Sequence, residues 1–423
     1  MTIDVFHRNH ARALDEADPL AALRGRFDVP RRADGREQAY FAGNSLGLLP
    51  RAGRAAVERV LDAWGTHAVA GHFTGEESWY RYDEPIAAHQ APIVGALEDE
   101  VALMGSLTEN LHLLMASFYR PEGARRKILI EPHAFPSDRY AVASQIRWHG
   151  GDPATDLVEI TTDDPDTVTV ADVAATLEHH GDTIAMALIG GINYYTGQFL
   201  DLGPIADLLG EREILVGYDL AHAAGNVPLS LHDWGVDFAA WCTYKYLNGG
   251  PGAIAGIYVH ERHGNDQATP RLAGWWGNDP ALRFDMHAEQ TFVPRRGAAG
   301  WKVSNPSVLA MAPVGASLAL FDEVGMDALR ERSLRLTAFL EAGLKGVAKA
   351  TVITPSDPER RGCQLSVRTS VDVGELEAEL AGRGVVVDAR DPDIIRIAPT
   401  PMYNSFEDIV DVVEELTDIL GAA

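Results

Sequence analysis

Lysine is scarce in this 423-residue chain: Lys127, Lys245, Lys302, Lys345 and Lys349 are the full set. Lys245 stands apart by its setting. It follows the apolar run Asp237 to Thr243 and then Tyr244, and the glycine-rich segment Gly249-Gly250-Pro251-Gly252 comes shortly after. Where arginine supplies nearly all the positive charge, a lysine between an apolar strand and a glycine turn points to chemistry that a permanently protonated guanidinium cannot do. An amine shielded from water can lose its proton and form a Schiff base. A second apolar run, Ile214 to Gly217, ends in Tyr218-Asp219, with His222 three residues on. Pyridoxal phosphate chemistry needs both groups. The lysine takes the aldehyde, and a carboxylate keeps the pyridine nitrogen protonated so that the ring can accept carbanion electrons. The same spacing also suits a helix cap at Asp219 and a surface lysine at a strand end, and spacing alone leaves both readings open.

Two other segments bear on that choice. Gly105-Ser106-Leu107-Thr108-Glu109-Asn110 leads into a helix with Leu111, Leu114, Met115 and Phe118 on one face. Ser106 and Glu109 have capping-box spacing, and the free N–H groups of such a helix start favour a phosphate, although most capping boxes only cap. The run Lys127 to Ile130 enters His133-Ala134-Phe135-Pro136-Ser137-Asp138. An aromatic ring and an acid there could stack on and hydrogen-bond a flat ring; an ordinary loop fits equally well.

The elements that must position these residues alternate between strand and helix. Apolar runs at 127–130, 184–189, 214–217, 236–242 and 253–259 have no polar alternation, which suits strands buried on both faces. Helical stretches such as 202–211 separate several of them, so the expected fold is α/β: a mostly parallel central sheet with helices on both faces. Ligands in such sheets bind beyond the carboxyl ends of the strands. An amphipathic helix is expected from Pro50 to Trp64, with Val57, Val60, Leu61 and Trp64 on its apolar face. Beyond Asn305-Pro306 two helices are expected, 306–324 and 326–348. A smaller α+β unit should follow, with strands at 351–354, 363–368, 385–387 and 394–397 and a helix at 373–382. The last helix, capped near Asn404 or Ser405, places Phe406, Ile409, Val410, Val413 and Leu416 on one face. The expected division is an N-terminal arm that belongs partly to the small domain (1–50), a large domain (51–305) and a small C-terminal domain (306–423).

Composition narrows the partners. Lys plus Arg is 36 against 61 for Asp plus Glu, a formal net charge of −25. Such a surface repels phosphate backbones and anionic lipid, so nucleic acid and membrane are not expected partners. The Arg-rich stretch from Arg24 to Arg36 is interrupted by Asp28 and Asp34 and reads as a solvated arm. Two cysteines, Cys242 and Cys363, cannot build a disulfide framework, and the first twenty residues carry four acids and no apolar core of a signal peptide. A cytoplasmic protein acting on a small molecule is the expectation. No metal site is expected: His260 and His263 stand at i, i+3 without an evident third ligand, and His179-His180 sit at an expected helix end where cations suit the dipole. Cys363 reads as a small buried residue rather than a nucleophile.

Taken together the blocks YFAGNSLGLLP, GH at 71–72, SLTENLHLL, FPSD, NYYTGQ, GYDLAHAAGN, LHDWGVDFAAWCTYKYLNGGPGAIAG, GWWG, SNPS and IRIAPTPMYNSF make the chain resemble kynureninases along nearly its whole length. These are fold-type I pyridoxal-phosphate enzymes with an aspartate-aminotransferase-like architecture. The resemblance implies a homodimer with shared active sites, pyridoxal 5'-phosphate as cofactor, and a place in tryptophan catabolism by the kynurenine pathway and in NAD biosynthesis. The implied reaction is hydrolysis of the Cβ–Cγ bond of kynurenine or 3-hydroxykynurenine, giving alanine and an anthranilate. It puts the Schiff-base lysine at Lys245, the carboxylate facing the pyridine nitrogen at Asp219 and the stacking aromatic at Phe135, with Pro136, Ser137 and Asp138 completing that loop. Phosphate and nearby cofactor contacts fall on Leu107, Thr108, His222 and Tyr244; Tyr244 is also the candidate proton shuttle, a role that phosphate binding alone would equally explain. Trp275 and Asn305 are expected from a second subunit or a joint pocket. Arg396 should bind the substrate's α-carboxylate. His72 with Ser304 and Asn305 is the animal-type pattern, which implies a preference for 3-hydroxykynurenine. Gly190 departs from that pattern, where animal-type relatives carry a serine. The rival readings are another enzyme of the same fold, a cysteine desulfurase or an aminotransferase, and a non-catalytic protein that keeps the fold.

Overall fold

The computed structural model describes residues 6–288 and 290–423, so the first five residues of the N-terminal arm lie outside the described residues. Seven strands form the large sheet: β1 Val101–Met104, β2 Lys127–Ile130, β3 Leu157–Glu159, β4 Ile184–Gly190, β5 Leu215–Asp219, β6 Phe238–Trp241 and β7 Ala255–Val259. Their order is β1-β7-β6-β5-β4-β2-β3. The run from β6 through β3 is parallel, and β7 is antiparallel to both β6 and β1. Sequence periodicity marks five of these strands. β1 and β3, the two edge strands, do not stand out as apolar runs, and each is made a strand by pairing with its single neighbour, β7 or β2.

Helices cover the sheet: α2 Arg51–His67, α3 Asp83–Val94, α4 Leu107–Phe118, α5 Pro136–Trp148, α6 Val170–His180 and α7 Leu202–Gly210, with a terminal helix α1 Arg8–Ala17 ahead of them. Capping boxes start two of them. The Ser106 N–H donates to Glu109 at 2.8 Å at the head of α4, and Thr169 exchanges hydrogen bonds with Asp172 at the head of α6. No single helix among the described residues is long and apolar enough to cross a membrane.

The C-terminal part begins with α8 Val308–Val324 and α9 Met326–Leu344. Strands β8 Ala350–Val352, β9 Leu365–Thr369, β10 Asp388–Arg390 and β11 Ile394–Ile397 form an antiparallel sheet in the order β8-β9-β11-β10, packed with α10 Val373–Gly382 and α11 Phe406–Leu420. α8 lies not with this sheet but with the large one: Met311, Val314, Leu318 and Phe321 join the core under α2 and α3. Gly53 lets the two helices approach, since a Cβ there would stand 3.3 Å from Pro313 Cβ. That contact turns α2 so that Ala56 and Val60 are buried while Leu61 and Trp64, expected inside, are 46% and 58% exposed.

The arm is tied down more firmly than its composition suggests. Val385–Val386, expected in the small sheet, pairs instead with Ala39–Tyr40 of the arm. Arg24, expected in a solvated stretch, donates to Asp408 and to the Tyr403 carbonyl, both at 2.6 Å. Asp18 is buried against Arg332 of α9 at 2.6 Å.

Within the large sheet β5 and β6 lie close because Gly217 faces Phe238 across the pair. A Cβ at Gly217 would stand 2.2 Å from Phe238 Cζ. Gly217→Ala should therefore overpack the centre of the sheet and cost ~1–3 kcal/mol, read as a lower unfolding midpoint. Gly210→Ala, where a Cβ meets nothing within 4 Å at the end of α7, is the control and should be neutral or slightly stabilising. Equal midpoints for the two variants would contradict this account.

Candidate active site

Parallel strands put their carboxyl ends on one edge, and the ends of four of them line a single cavity of about 160 Å³. Asp219 ends β5, Gly190 ends β4, Glu131 follows β2, and Tyr244-Lys245 follow β6. Lys245 is 9% exposed. Its Nζ lies 5.8 Å from the centroid of the Phe135 ring and 6.0 Å from that of Tyr244. The backbone here is held by the arm: the Gly47 N–H donates to the Tyr244 carbonyl at 2.8 Å. A Cβ at Gly47 would fall 2.3 Å from the Lys245 carbonyl oxygen. Only glycine lets the arm come this near to the lysine.

Three acids converge opposite the amine. Asp219 Oδ1 accepts the Ala221 N–H at 2.7 Å, which fixes its carboxylate at the strand end. Burial and the neighbouring Asp219 push the Asp138 carboxyl well above its usual range. Burial chiefly, with Asp219 also contributing, raises Glu131 to about 7. Glu131 Oε2 accepts the Gly190 N–H at 3.1 Å, and a Cβ at Gly190 would stand 2.7 Å from Glu131 Oε1. The absent serine thus has a physical reason in this chain, because the Glu131 carboxyl occupies its space. Burial, together with Lys245 and the more distant Arg396 and Arg390, drives His222 well below its ordinary value, so its imidazole is neutral at physiological pH. Burial also holds the Tyr244 hydroxyl above its usual range, so it remains an O–H donor.

The helices complete the wall. α4 and α5 both begin at the cavity, and Thr108 Oγ1 lies 2.9 Å from Ser137 Oγ between the two N-termini. The free N–H groups and positive dipole ends of two helix starts suit a phosphate. His222 Nδ1 and Asp138 Oδ1 are buried without a hydrogen-bond partner. An amine, a ring-sized aromatic face, a buried carboxylate, two helix starts and two unpartnered polar atoms suit a flat, phosphate-bearing heterocyclic aldehyde.

The structure thus gathers Leu107, Thr108, Phe135, Asp138, Asp219, His222, Tyr244 and Lys245 around one cavity, with Pro136 and Ser137 at the head of α5 beside it. Arg396 is not in the cavity wall. It is 1% exposed, and its guanidinium carbon lies 6.0 Å from the ring of Tyr194, which does line the cavity. Ser304 and Asn305 line a second, more open cavity of about 660 Å³. The turn before α4 separates the two: Ser106, Leu107 and Thr108 face the first, Gly105 and Glu109 the second. His72 and Trp275 meet in another place, an aromatic cluster that runs through Phe73 and Phe284. Within one chain these four residues do not reach Lys245. Of the residues that sequence reasoning left unassigned, Glu131 and Tyr194 line the cavity and Ser45 and Asp388 hold Arg396. Tyr194 and Ser45 fall inside the NYYTGQ and YFAGNSLGLLP blocks. Glu131 and Asp388 gave no signal beyond being acids beside apolar runs.

His260 groups with Glu100 and His232 rather than with His263. Glu100, though, already accepts the N–H groups of Leu97 and Glu261, and His260 Nδ1 accepts that of Arg262. Cys242 and Cys363 are buried and unpaired.

With this geometry in hand, comparison with known proteins is informative. A family model for the kynureninase C-terminal domain matches residues 329–416. The kynureninase of Xanthomonas euvesicatoria pv. vesicatoria (strain 85-10) is 52% identical over 419 residues, 98% of each chain. That of Xanthomonas campestris pv. campestris (strain 8004) is also 52% identical, over 98% of this chain and 99% of its own. Among solved structures, a cysteine desulfurase from Escherichia coli superposes with a TM-score of 0.76 at 17% identity, covering 95% of this chain and 98% of its own. A C-DES variant with glycine covalently linked to its PLP cofactor does so with a TM-score of 0.76 at 18% identity, covering 90% and 96%. These structural likenesses establish the fold, that of the fold-type I enzymes.

The acid cluster makes a prediction for the cofactor-free protein. A carboxyl with a higher pKa in the folded than in the unfolded chain favours folding below its unfolded value, and stability is lost as pH rises from about 4 through the folded value. Asp138 is such a group. Asp138→Asn should therefore flatten the fall in Tm between about pH 4 and neutrality relative to the parent. Parallel curves of Tm against pH for the two proteins would refute the charge crowding described here.

Proposed function

The chain belongs to the kynureninase family, hydrolases that act on carbon–carbon bonds, and from that premise we propose that it uses pyridoxal 5'-phosphate to cleave the Cβ–Cγ bond of kynurenines with water. The observation that carries the reading is the meeting of Lys245 and Asp219 in one buried cavity at the ends of adjacent strands. When bound, the cofactor supplies an electron sink for charge developing on the substrate's carbons. The chain's own groups do the rest. Lys245 Nζ is the attachment point and, once free, the base for the proton at the substrate's Cα. Asp219 keeps the pyridine nitrogen protonated. Phe135 offers its ring face, and the starts of α4 and α5, with Thr108 and Ser137, take the phosphate. Neutral His222 contributes a hydrogen-bonding nitrogen without adding charge. Tyr244, still carrying its proton, contacts the phosphate and can return a proton to substrate carbon. Arg396 receives the α-carboxylate.

Several observations support a homodimer. Leu61, Trp64, Val69 and Phe73 form an exposed apolar stretch on and just after α2, adjoining His72, as expected of a surface that another subunit covers. A second copy of this chain would bring His72, Trp275, Ser304 and Asn305 to the Lys245 cavity, which they cannot reach within one chain. His72 with the Ser304-Asn305 pair favours a substrate with a ring hydroxyl, so 3-hydroxykynurenine is the proposed preference. The two unpaired cysteines accord with a cytoplasmic location.

A cysteine desulfurase reading draws no support from Cys363. Its thiol is fully buried and pushed up to about 12 by that burial, the reverse of what a sulfur-transferring nucleophile needs.

Lys245→Ala should abolish turnover, and it should also abolish the covalent attachment of cofactor that borohydride makes permanent in the parent as it bleaches the yellow colour. Appreciable steady-state activity in that variant would refute the assignment. For the substrate, kcat/KM should be at least about tenfold higher for 3-hydroxykynurenine than for kynurenine, because a site built around a hydroxyl discriminates strongly against its absence. A ratio of one or below would remove the proposed role of His72 and the Ser304-Asn305 pair.

A further inference from the structure

Arg396 is more fully engaged than an arginine waiting for a ligand should be. Its Nη2 lies 2.7 Å from Asp388 Oδ2 and 3.2 Å from Ser45 Oγ, and its Nη1 donates to the Tyr194 carbonyl at 3.0 Å. Only Nε has no partner. Asp388 in turn is shared. Its Oδ1 lies 2.7 Å from Arg390 Nη1, its Oδ2 3.1 Å from Arg390 Nη2, and the Ser45 hydroxyl donates to Oδ2.

The strand register builds this arrangement. Asp388 and Arg396 are direct cross-strand partners in β10 and β11, and Arg390 stands two residues from Asp388 on the same face. The group therefore holds two guanidiniums against one carboxylate, leaving one positive charge uncompensated. Asp388 and Arg396 are buried, whereas the Arg390 side chain is 36% exposed and has room to move. The excess charge is felt at the cavity, since both arginines help to keep His222 neutral. A second carboxylate at Arg396 would bring the count to balance.

Resting on the reading of Arg396 as the receiver of the substrate's α-carboxylate, we propose that Asp388 is an internal stand-in for that carboxylate: it occupies Arg396 until an amino acid arrives and then passes to Arg390. The exchange never leaves Arg396 without a carboxylate, which matters for an arginine this buried. Asp388 and Arg390 are positioning residues on this account. They set how readily Arg396 is given up, and so they tune affinity rather than bond cleavage.

The holoenzyme tests this with two readouts: KM and kcat for kynurenine, and the dissociation constant of L-alanine, which carries the same α-carboxylate, followed by the cofactor's visible spectrum. In Arg390→Gln the aspartate has no second guanidinium to pass to and stays on Arg396. KM and the L-alanine dissociation constant should then rise about tenfold, with kcat falling less than about twofold. Adding Asp388→Asn to that variant removes the internal competitor and should recover most of the lost affinity, a coupling that independent structural defects would not produce. An unchanged KM in Arg390→Gln, or a double variant as weak as the single, overturns the exchange. Should the double variant unfold, the Arg390→Gln result decides alone, because that side chain is partly exposed. Arg396→Gln tests the underlying reading separately: a normal KM there removes Arg396 from substrate binding, whatever Arg390 does.

Discussion

The architecture turns on holding a primary amine and three carboxyl groups together away from bulk water. Lys245 supplies one positive charge; Asp219, Asp138 and Glu131 crowd the same 160 Å³. Burial alone would drive such acids to take up protons, and the raised Asp138 and Glu131 are that response. A pocket poised in this way gains from a ligand that brings its own cationic ring nitrogen.

Keeping these groups close is the task of the parallel sheet. β5 and β6 can deliver Asp219 and Lys245 side by side only because Gly217 leaves room for Phe238 between them, and Gly256 does the same for Trp241 one strand further. Large rings against glycines replace the usual β-branched packing. The strands then end together, and each ending becomes a ligand position, as expected where parallel strands feed one crevice.

Much of this was legible in the sequence. Uninterrupted apolar runs located the buried strands, and the scarcity of lysine is enough to single out Lys245. The capping box at Ser106 and Glu109 identified the head of α4. What stayed hidden depended on contacts between distant segments. Leu61 and Trp64 fit a helical apolar face, yet the close approach of Gly53 and Pro313 turns α2 and leaves them outside. Arg24 looked solvated because its partners, Asp408 and the Tyr403 carbonyl, lie at the far end of the chain. Glu131 and Asp388 are ordinary acids by composition and acquire meaning only from Gly190 on one side and from two arginines on the other.

The turn from Ala42 to Gly47 shows why the arm belongs to the site rather than to the periphery. Gly47 donates its N–H beside Lys245 in the large domain, Ser45 reaches Asp388 and Arg396 on the small sheet, and Asn44 donates to Gln364 at 2.9 Å. One short turn therefore touches the backbone that carries Lys245 at one end and the Arg396 guanidinium at the other. A shift of the small sheet that moved Arg396 would pull on Ser45, and through the chain on Gly47 and the lysine backbone. Coupling of this kind needs no long pathway, only a rigid segment with a contact at each end. It gives the glycine, asparagine and serine of this turn a mechanical role that neither helix nor sheet could fill: the segment must bend sharply, offer the Gly47 N–H to the Tyr244 carbonyl and leave no side chain in the way of Lys245.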